Sequence, residues 1–212
     1  MSKLDNVLRN KAALLERFKA RGRPLRAGTE RLPPGQHEVS DFPVLDLGVH
    51  PPFDPATWRL TVDGAVEQPF TVTWDAFRAL PHQTQISDFH CVTTWSRYNL
   101  RWGGVPFAAI VARARPTAAA THLMQACADG YSTNLPLAEL TGDDVLLADE
   151  LEGGPVPVEH GGPMRLLVPH LYAWKSAKFV TRLRFMEQDE PGFWEVRGYH
   201  DVGDPWSEER FR

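Results

Sequence analysis

From Trp58 onward hydrophobic and polar positions alternate, with Trp58, Leu60 and Val62 set against Arg59, Thr61 and Asp63, and the run closes on Asp-Gly. A period of two ending in a turn dipeptide predicts a strand. The next segment, "TWDAFRALP", predicts a short helix with Thr73 as N-cap, Asp75 in the first turn and Pro81 as the stop. "FAAIVARA", from Phe107 to Ala114, predicts a second helix, with Pro106 in the favoured first-turn position. Four more apolar runs, "THLMQACA", "DDVLLADEL", "MRLLVP" and "AKFVTRLRFME", are fenced by glycine, proline or aspartate and predict strands of mixed or antiparallel sheets. Upstream, Leu4, Val7, Leu8, Leu14, Leu15 and Phe18 recur at roughly helical spacing before "RGRPLRAGTERLPPG" breaks the pattern. The expectation is a helical arm and extended linker over residues 1–41, then one α+β domain of mixed sheets and short helices over residues 42–212. The final segment, "GYHDVGDPWSEERFR", is expected to pack on that domain's surface.

Composition narrows the class. A chain of 212 residues with 42% hydrophobic content suits one sizeable core, and its 18 prolines and 16 glycines interrupt every candidate helix beyond the first. The net charge of -4 offers no concentrated positive face for a polyanion, so no nucleic-acid partner is expected. Charges are scattered through the first 20 residues, and no window approaches the apolar length of a membrane span. With only Cys91 and Cys127 as thiols, a reducing compartment fits. These features place the protein in the cytoplasm, with no membrane partner.

Cys91 lies in an unusual setting, "DFHCVTTWSRYNLRW", from Asp88 to Trp102. A buried cysteine in a core strand is one reading. A nucleophile paired with one of eight histidines is another. Zinc is weakly supported, because CxxC and HExxH spacings are absent. A fourth reading is a single thiolate on a metal whose other ligands come from a sulfur-bearing cofactor. Such an anionic cofactor needs cations and close backbone. Residues 159–183 offer Gly161 and Gly162 for close approach, Arg165 as a forked donor, and Lys175, Ser176 and Lys178 within four positions. In the same run Phe179, Thr181, Leu183 and Phe185 share one strand face, while Lys178, Arg182 and Arg184 share the other, which is also the pattern of a solvated basic face.

Cys91 followed by a Trp-Ser pair and "WGGVP", then "DGYSTNLPL" at 129–137, "LEGGPVPVEHGGPMRLLVP" at 151–169 and "AWKSAKFV" at 173–180, together resemble the molybdopterin-binding oxidoreductase domain of the sulfite oxidase superfamily. The resemblance covers roughly Phe42 to Glu187. It implies the α+β sulfite-oxidase-type fold and a mononuclear molybdenum–molybdopterin cofactor with Cys91 as the sole protein ligand to the metal. It implies His160, Arg165, Ser176 and Lys178 as contacts to the pterin and its phosphate. Phe89 and His90 would touch the cofactor through backbone or ring, and Tyr131 would sit near the metal, unless its hydroxyl is satisfied within the core.

The resemblance is nearer to bacterial enzymes that include the catalytic subunit of periplasmic methionine sulfoxide reductase than to animal or plant sulfite oxidases. After the cysteine those oxidases carry arginines, where this chain has "VTTWSRYNL". They also place an arginine and a histidine before the first strand, where it has "LDLGVHPPFD". Reduction of a small S-oxide or N-oxide is therefore expected over sulfite oxidation, with Trp95 and Tyr131 at the mouth. Neither the immunoglobulin-like dimerisation domain nor a haem domain is seen, so a monomer fed by a separate, unidentified electron-transfer partner is expected. A non-catalytic molybdopterin-binding module is the other reading of the same motifs.

Overall fold

The computed structural model describes residues 30–212, and the helix expected at residues 4–19 lies outside them. The elements run in the order β1 (His37–Val39), β2 (Arg59–Gly64), β3 (Phe70–Thr73), α1 (Trp74–Arg78), β4 (Gln83–His90), β5 (Trp95–Pro106) and α2 (Phe107–Ala114). They continue as β6 (His122–Cys127), β7 (Ser132–Pro136), β8 (Leu146–Leu151), β9 (Gly154–Pro155), β10 (Arg165–Leu167) and β11 (Val180–Met186). Among the described residues, three short 3-10 segments link these elements, including 158–160 and 173–175, and a fourth follows β11. Among the described residues, no helix is long and apolar enough to cross a membrane.

Two mixed sheets form. In the first, the twelve-residue β5 pairs antiparallel with β4 and β8 and parallel with β1, while β10 and β9 extend from β8. The second runs β3-β2-β11-β6-β7, with β2 and β11 parallel and the other pairs antiparallel. The mixed-sheet α+β class expected from the sequence is the class observed.

The apolar runs in β8 and β10 are continuous because the first sheet is covered on both faces. Leu147 and Leu166 point into the main core with Leu60, Phe107, Leu123 and Leu183. Their neighbours Leu146 and Leu167 point the other way, into a smaller cluster with Phe89, Cys91, Trp95 and Trp102. A strand's two-residue period makes that division automatic. Gly104 lets β5 and β8 approach: a Cβ there would lie 2.3 Å from the Leu147 carbonyl oxygen.

Capping follows the sequence closely. The Thr73 hydroxyl accepts from Ala76 N at 3.2 Å at the start of α1. Pro106 is itself the N-cap of α2, one position before the expected first turn. The linker expected to end at residue 41 contributes β1, which pairs with Trp95–Arg97. The C-terminal segment returns to the domain, with Trp206 Nε1 donating to Glu30 O and its ring edge-on to His90 at 5.0 Å.

Candidate active and cofactor site

β4 ends at His90, β5 begins at Trp95, and Cys91 opens the tight turn between them. Cys91 N donates to Trp95 O at 2.9 Å and Thr94 N to Cys91 O at 3.1 Å, with Thr94 in the left-handed region at φ 76°. Outside groups fix the turn as well: Gln36 Nε2 donates to Cys91 O at 3.1 Å, and His37 N to Thr94 O at 2.9 Å. The Cys91 thiol is 5% exposed, with Sγ 3.1 Å from Thr93 Oγ1. Burial pushes the thiol above its ordinary value, against the opposing hydrogen bond with Thr93. Both cysteines are free thiols.

Alternation along β4 decides which neighbours join Cys91. Phe89 and Cys91 line one cavity of about 290 Å³. His90, between them, faces away: its Nδ1 lies 2.8 Å from Ser96 Oγ, and its ring borders a separate surface cavity beside Asp88 and Trp206. The ring contact to a cofactor expected of His90 is therefore corrected, because the strand's two-residue period puts its side chain on the opposite face.

The same cavity is walled by Trp95, Tyr131, His160, Arg165, Ser176 and Lys178, which come from β5, β7's entry, the 158–160 turn, β10 and the segment before β11. Arg165 is the unusual group. It is 2% exposed, donates from Nη1 to His160 O at 2.8 Å and from Nη2 to Ser176 O at 2.6 Å, and lies 4.9 Å from the Phe89 ring centroid. Its Nε has no partner, and among the described residues no carboxylate lies within ion-pair distance. Burial lowers its pKa well below the ordinary guanidinium range, to about 9. Lys178 donates to Glu159 O at 2.5 Å, and Asp46 Oδ2 is 3.7 Å from its Nζ. Burial, followed by repulsion from Arg165, brings Lys178 from 10.5 to about 8.

The remaining residues shape the walls. His160 stacks on Phe42 with centroids 4.1 Å apart, and burial with the two nearby cations pushes its imidazole below the ordinary value. Ser176 Oγ accepts from Val168 N at 2.9 Å. Tyr131 faces the cavity, but its hydroxyl donates to Trp174 O at 2.7 Å, so the ring forms wall while the proton is held by backbone.

Three expectations change. Lys175 does not reach the cavity: it is fully buried on the other side of its turn, with Nζ 2.6 Å from Glu195 Oε1 and 2.8 Å from Asn134 O. Gly161 and Gly162 serve the chain's approach to itself, since a Cβ on Gly161 would lie 2.8 Å from Lys178 Cβ and one on Gly162 would lie 2.1 Å from Val156 O. Arg182 and Arg184 form surface ion pairs with Asp63 and Glu190, so the solvated-face reading holds for them and not for Lys178. Asp46, Asp129 and the aromatic wall of Trp174, Trp194 and Tyr199 also line the cavity and were not singled out as site residues from the sequence. Asp129 lay within a motif that the sequence reading used only for Tyr131.

Among the described residues, no group of three or more His, Cys, Asp or Glu is arranged to hold a metal ion. A metal on Cys91 would thus draw its other ligands from a cofactor. Residues 47–194 match the family described as the oxidoreductase molybdopterin-binding domain. The chain belongs to that family. An uncharacterized oxidoreductase of Bacillus subtilis, YuiH, is 40% identical over 85% of this chain and 92% of its own length. A putative protein-methionine-sulfoxide reductase subunit of Azospira oryzae, YedZ1, is 31% identical over 71% of this chain. The protein-methionine-sulfoxide reductase catalytic subunit MsrP of Ralstonia nicotianae is 30% identical over 70%. The chain spans 57% and 50% of the lengths of these two sulfoxide reductase relatives. The sulfane dehydrogenase SoxCD of Paracoccus pantotrophus shares the fold, with a TM-score of 0.62 and 23% identity over 70% of this chain and 42% of its own.

This molybdopterin-binding oxidoreductase has a donor set that fits its family's cofactor. A buried guanidinium with an unpartnered Nε and, among the described residues, no carboxylate at ion-pair distance suits an anion, and a phosphate has the matching charge and geometry. The cavity that holds this cation also holds the Cys91 thiol.

Proposed function

We propose that the protein is a molybdenum-cofactor-dependent reductase of a small neutral S-oxide or N-oxide. The observation that carries this reading is the distribution of charge in the cavity. Its cations, Arg165 and Lys178, are tied to the carbonyls of the 159–160 turn and Ser176, Asp46 lies 3.7 Å from Lys178 and Asp129 adds a second carboxylate, while Val92, Thr93, Trp95, Trp174, Trp194 and Tyr199 add no further charge to the lining.

In this reading Cys91 is the sole protein ligand to molybdenum. Arg165 and Lys178 hold the cofactor's phosphate through charge-assisted hydrogen bonds, and Phe89, His160 and Ser176 bracket the pterin. When bound, the cofactor supplies a two-electron couple and a metal site at which an oxygen atom can be exchanged. The chain contributes position and dryness: the Cys91 turn is fixed by outside donors, and the aromatic wall excludes water.

A small dianion such as sulfite needs compensating positive charge at its binding position. Neither Arg97, which donates to Tyr98 O at 2.8 Å, nor Arg210, which donates to Val92 O, is part of the cavity lining. A neutral oxide has no such need, and its reduction consumes two electrons and two protons to give the sulfide or amine and water. The sulfoxide reductase relatives support this choice of substrate class. The electrons come from a separate partner, and we place the reaction in the cytoplasm on a monomer.

Steady-state assays of the molybdenum-loaded protein with a reduced viologen donor test the reading. Turnover on dimethyl sulfoxide, methionine sulfoxide or trimethylamine N-oxide should far exceed sulfite oxidation. Rapid sulfite oxidation with no turnover on any oxide would overturn it.

A further inference from the structure

The C-terminal segment meets the Cys91 turn and its neighbours at several points. Gly203 O accepts from Tyr172 N at 2.8 Å, Trp206 packs edge-on to His90, and Arg210 Nη1 donates to Val92 O. The Arg210 guanidinium also lies 5.2 Å from the Tyr172 ring centroid, and Tyr172 stacks on Trp174 at 5.3 Å in the cavity wall. The Arg210 side chain is 17% exposed, and the carboxylate of Glu208 is 4.0 Å away.

Val92 O accepts from no backbone donor and not from Gln36, so Arg210 is its side-chain anchor among the described residues. Gln36 and Thr94 N hold Cys91 O, and His37 N holds Thr94 O. Without Arg210 the peptide after Cys91 would keep its two neighbours but lose its own anchor.

The geometry points to Arg210 as a positioning residue of the active site: it clamps the Val92 carbonyl, so fixing the turn that aims Cys91 into the cavity. This rests on the reading of Cys91 as the molybdenum ligand. A charged donor to a backbone carbonyl is a strong hydrogen bond, and it is delivered here from a residue more than a hundred positions away in the chain.

The test uses Arg210→Gln, Arg210→Lys and, as a control from the same tail, Arg212→Gln, whose arginine pairs with Asp201 at the surface. In the loaded protein Arg210→Gln should retain molybdenum, shift the thiolate-to-metal charge-transfer band because the loosened turn no longer holds the sulfur in one orientation, and lower kcat roughly tenfold with KM within about twofold. Arg210→Lys, a single-point donor in place of the fork, should shift the band less, and Arg212→Gln should leave band and kcat unchanged. In the cofactor-free protein, the Cys91 and Thr94 amides should exchange with solvent about tenfold faster in Arg210→Gln than in wild type. A wild-type band together with wild-type exchange in Arg210→Gln would overturn the inference. If that variant does not fold, Arg210→Lys decides: turn exchange faster than in wild type supports the clamp, and unchanged exchange overturns it. A wild-type protein that takes up no molybdenum would instead defeat the functional reading, while the exchange comparison would still judge the clamp.

Discussion

Replacing Arg165 by methionine should have opposite consequences with and without the cofactor. Burial lowers the guanidinium pKa well below its ordinary range, to about 9, which at ~1.4 kcal/mol per pH unit is roughly 5 kcal/mol against the charged form. Its two hydrogen bonds, to His160 O and Ser176 O, each return roughly 1.5–3 kcal/mol. The two contributions nearly cancel. Methionine fills much of the same volume, so Arg165→Met should change the stability of the cofactor-free protein by less than about 2 kcal/mol, as for other buried charges exchanged for apolar groups. In the loaded protein the substitution removes a charge-assisted bond to phosphate worth roughly 1.5–3 kcal/mol, a loss of retention on the order of 10- to 100-fold. Urea unfolding of the cofactor-free proteins measures the first quantity, and molybdenum per chain after gel filtration measures the second. Turnover per bound molybdenum should fall less than occupancy. Full occupancy in Arg165→Met, or a loss of more than about 4 kcal/mol in the cofactor-free protein, would refute the assignment of Arg165 as an anion anchor.

The depressed pKa of Lys178, about 8 against 10.5, means that the cofactor-free native state binds fewer protons than the unfolded chain across that interval. Stability of wild type relative to Lys178→Met should therefore rise with pH from about 8 to 10.5, and a flat or falling difference in urea titrations would contradict it. Bound phosphate favours the protonated amine, so anion affinity should weaken as pH rises through about 8. Glu195→Gln leaves the buried Lys175 ammonium without its counter-charge and should destabilise the fold by roughly 3–5 kcal/mol, most of it recovered in the Lys175→Met/Glu195→Leu double variant. Gly162→Ala drives a Cβ against Val156 O and should cost about 3 kcal/mol or more, whereas Gly130→Ala, with open space but φ 86°, should cost about 1–2 kcal/mol in the same assay.

Legibility in the sequence followed local signals. β2, α1, α2, β6, β8, β10 and β11 each carried an alternation, a cap or a fenced apolar run, and each formed close to its expected bounds. β4 and β5, which flank Cys91, were not assigned. Tyr98, Leu100 and Trp102 are buried along β5 and alternate with exposed Asn99 and Arg101, but buried Ser96 and the Gly103–Gly104 pair interrupt the hydrophobic pattern. Among the site residues, Cys91, His160, Arg165, Ser176 and Lys178 were found through the order of motifs, and the fold gathers them in one cavity. Lys175 and Lys178 were indistinguishable by spacing, because a single 3-10 turn at 173–175 sends one into the core and the other to the cavity. For His90, expected to make contact through backbone or ring, the unassigned β4 withheld the alternation that turns the ring away from the cavity. Arg210 had no local signal at all, since its role depends on a tail that folds back over a turn at residue 92.

The central claim is that one molybdenum is held through the Cys91 thiolate in a cavity anchored by Arg165 and Lys178. Metal analysis of purified wild type and Cys91→Ser, with their visible spectra recorded on the same samples, tests it most directly. The account expects one molybdenum per chain and a thiolate-to-metal charge-transfer band in wild type, with the band absent and turnover lost in Cys91→Ser. Active wild-type protein without molybdenum, or a Cys91→Ser variant that keeps the band, would contradict it.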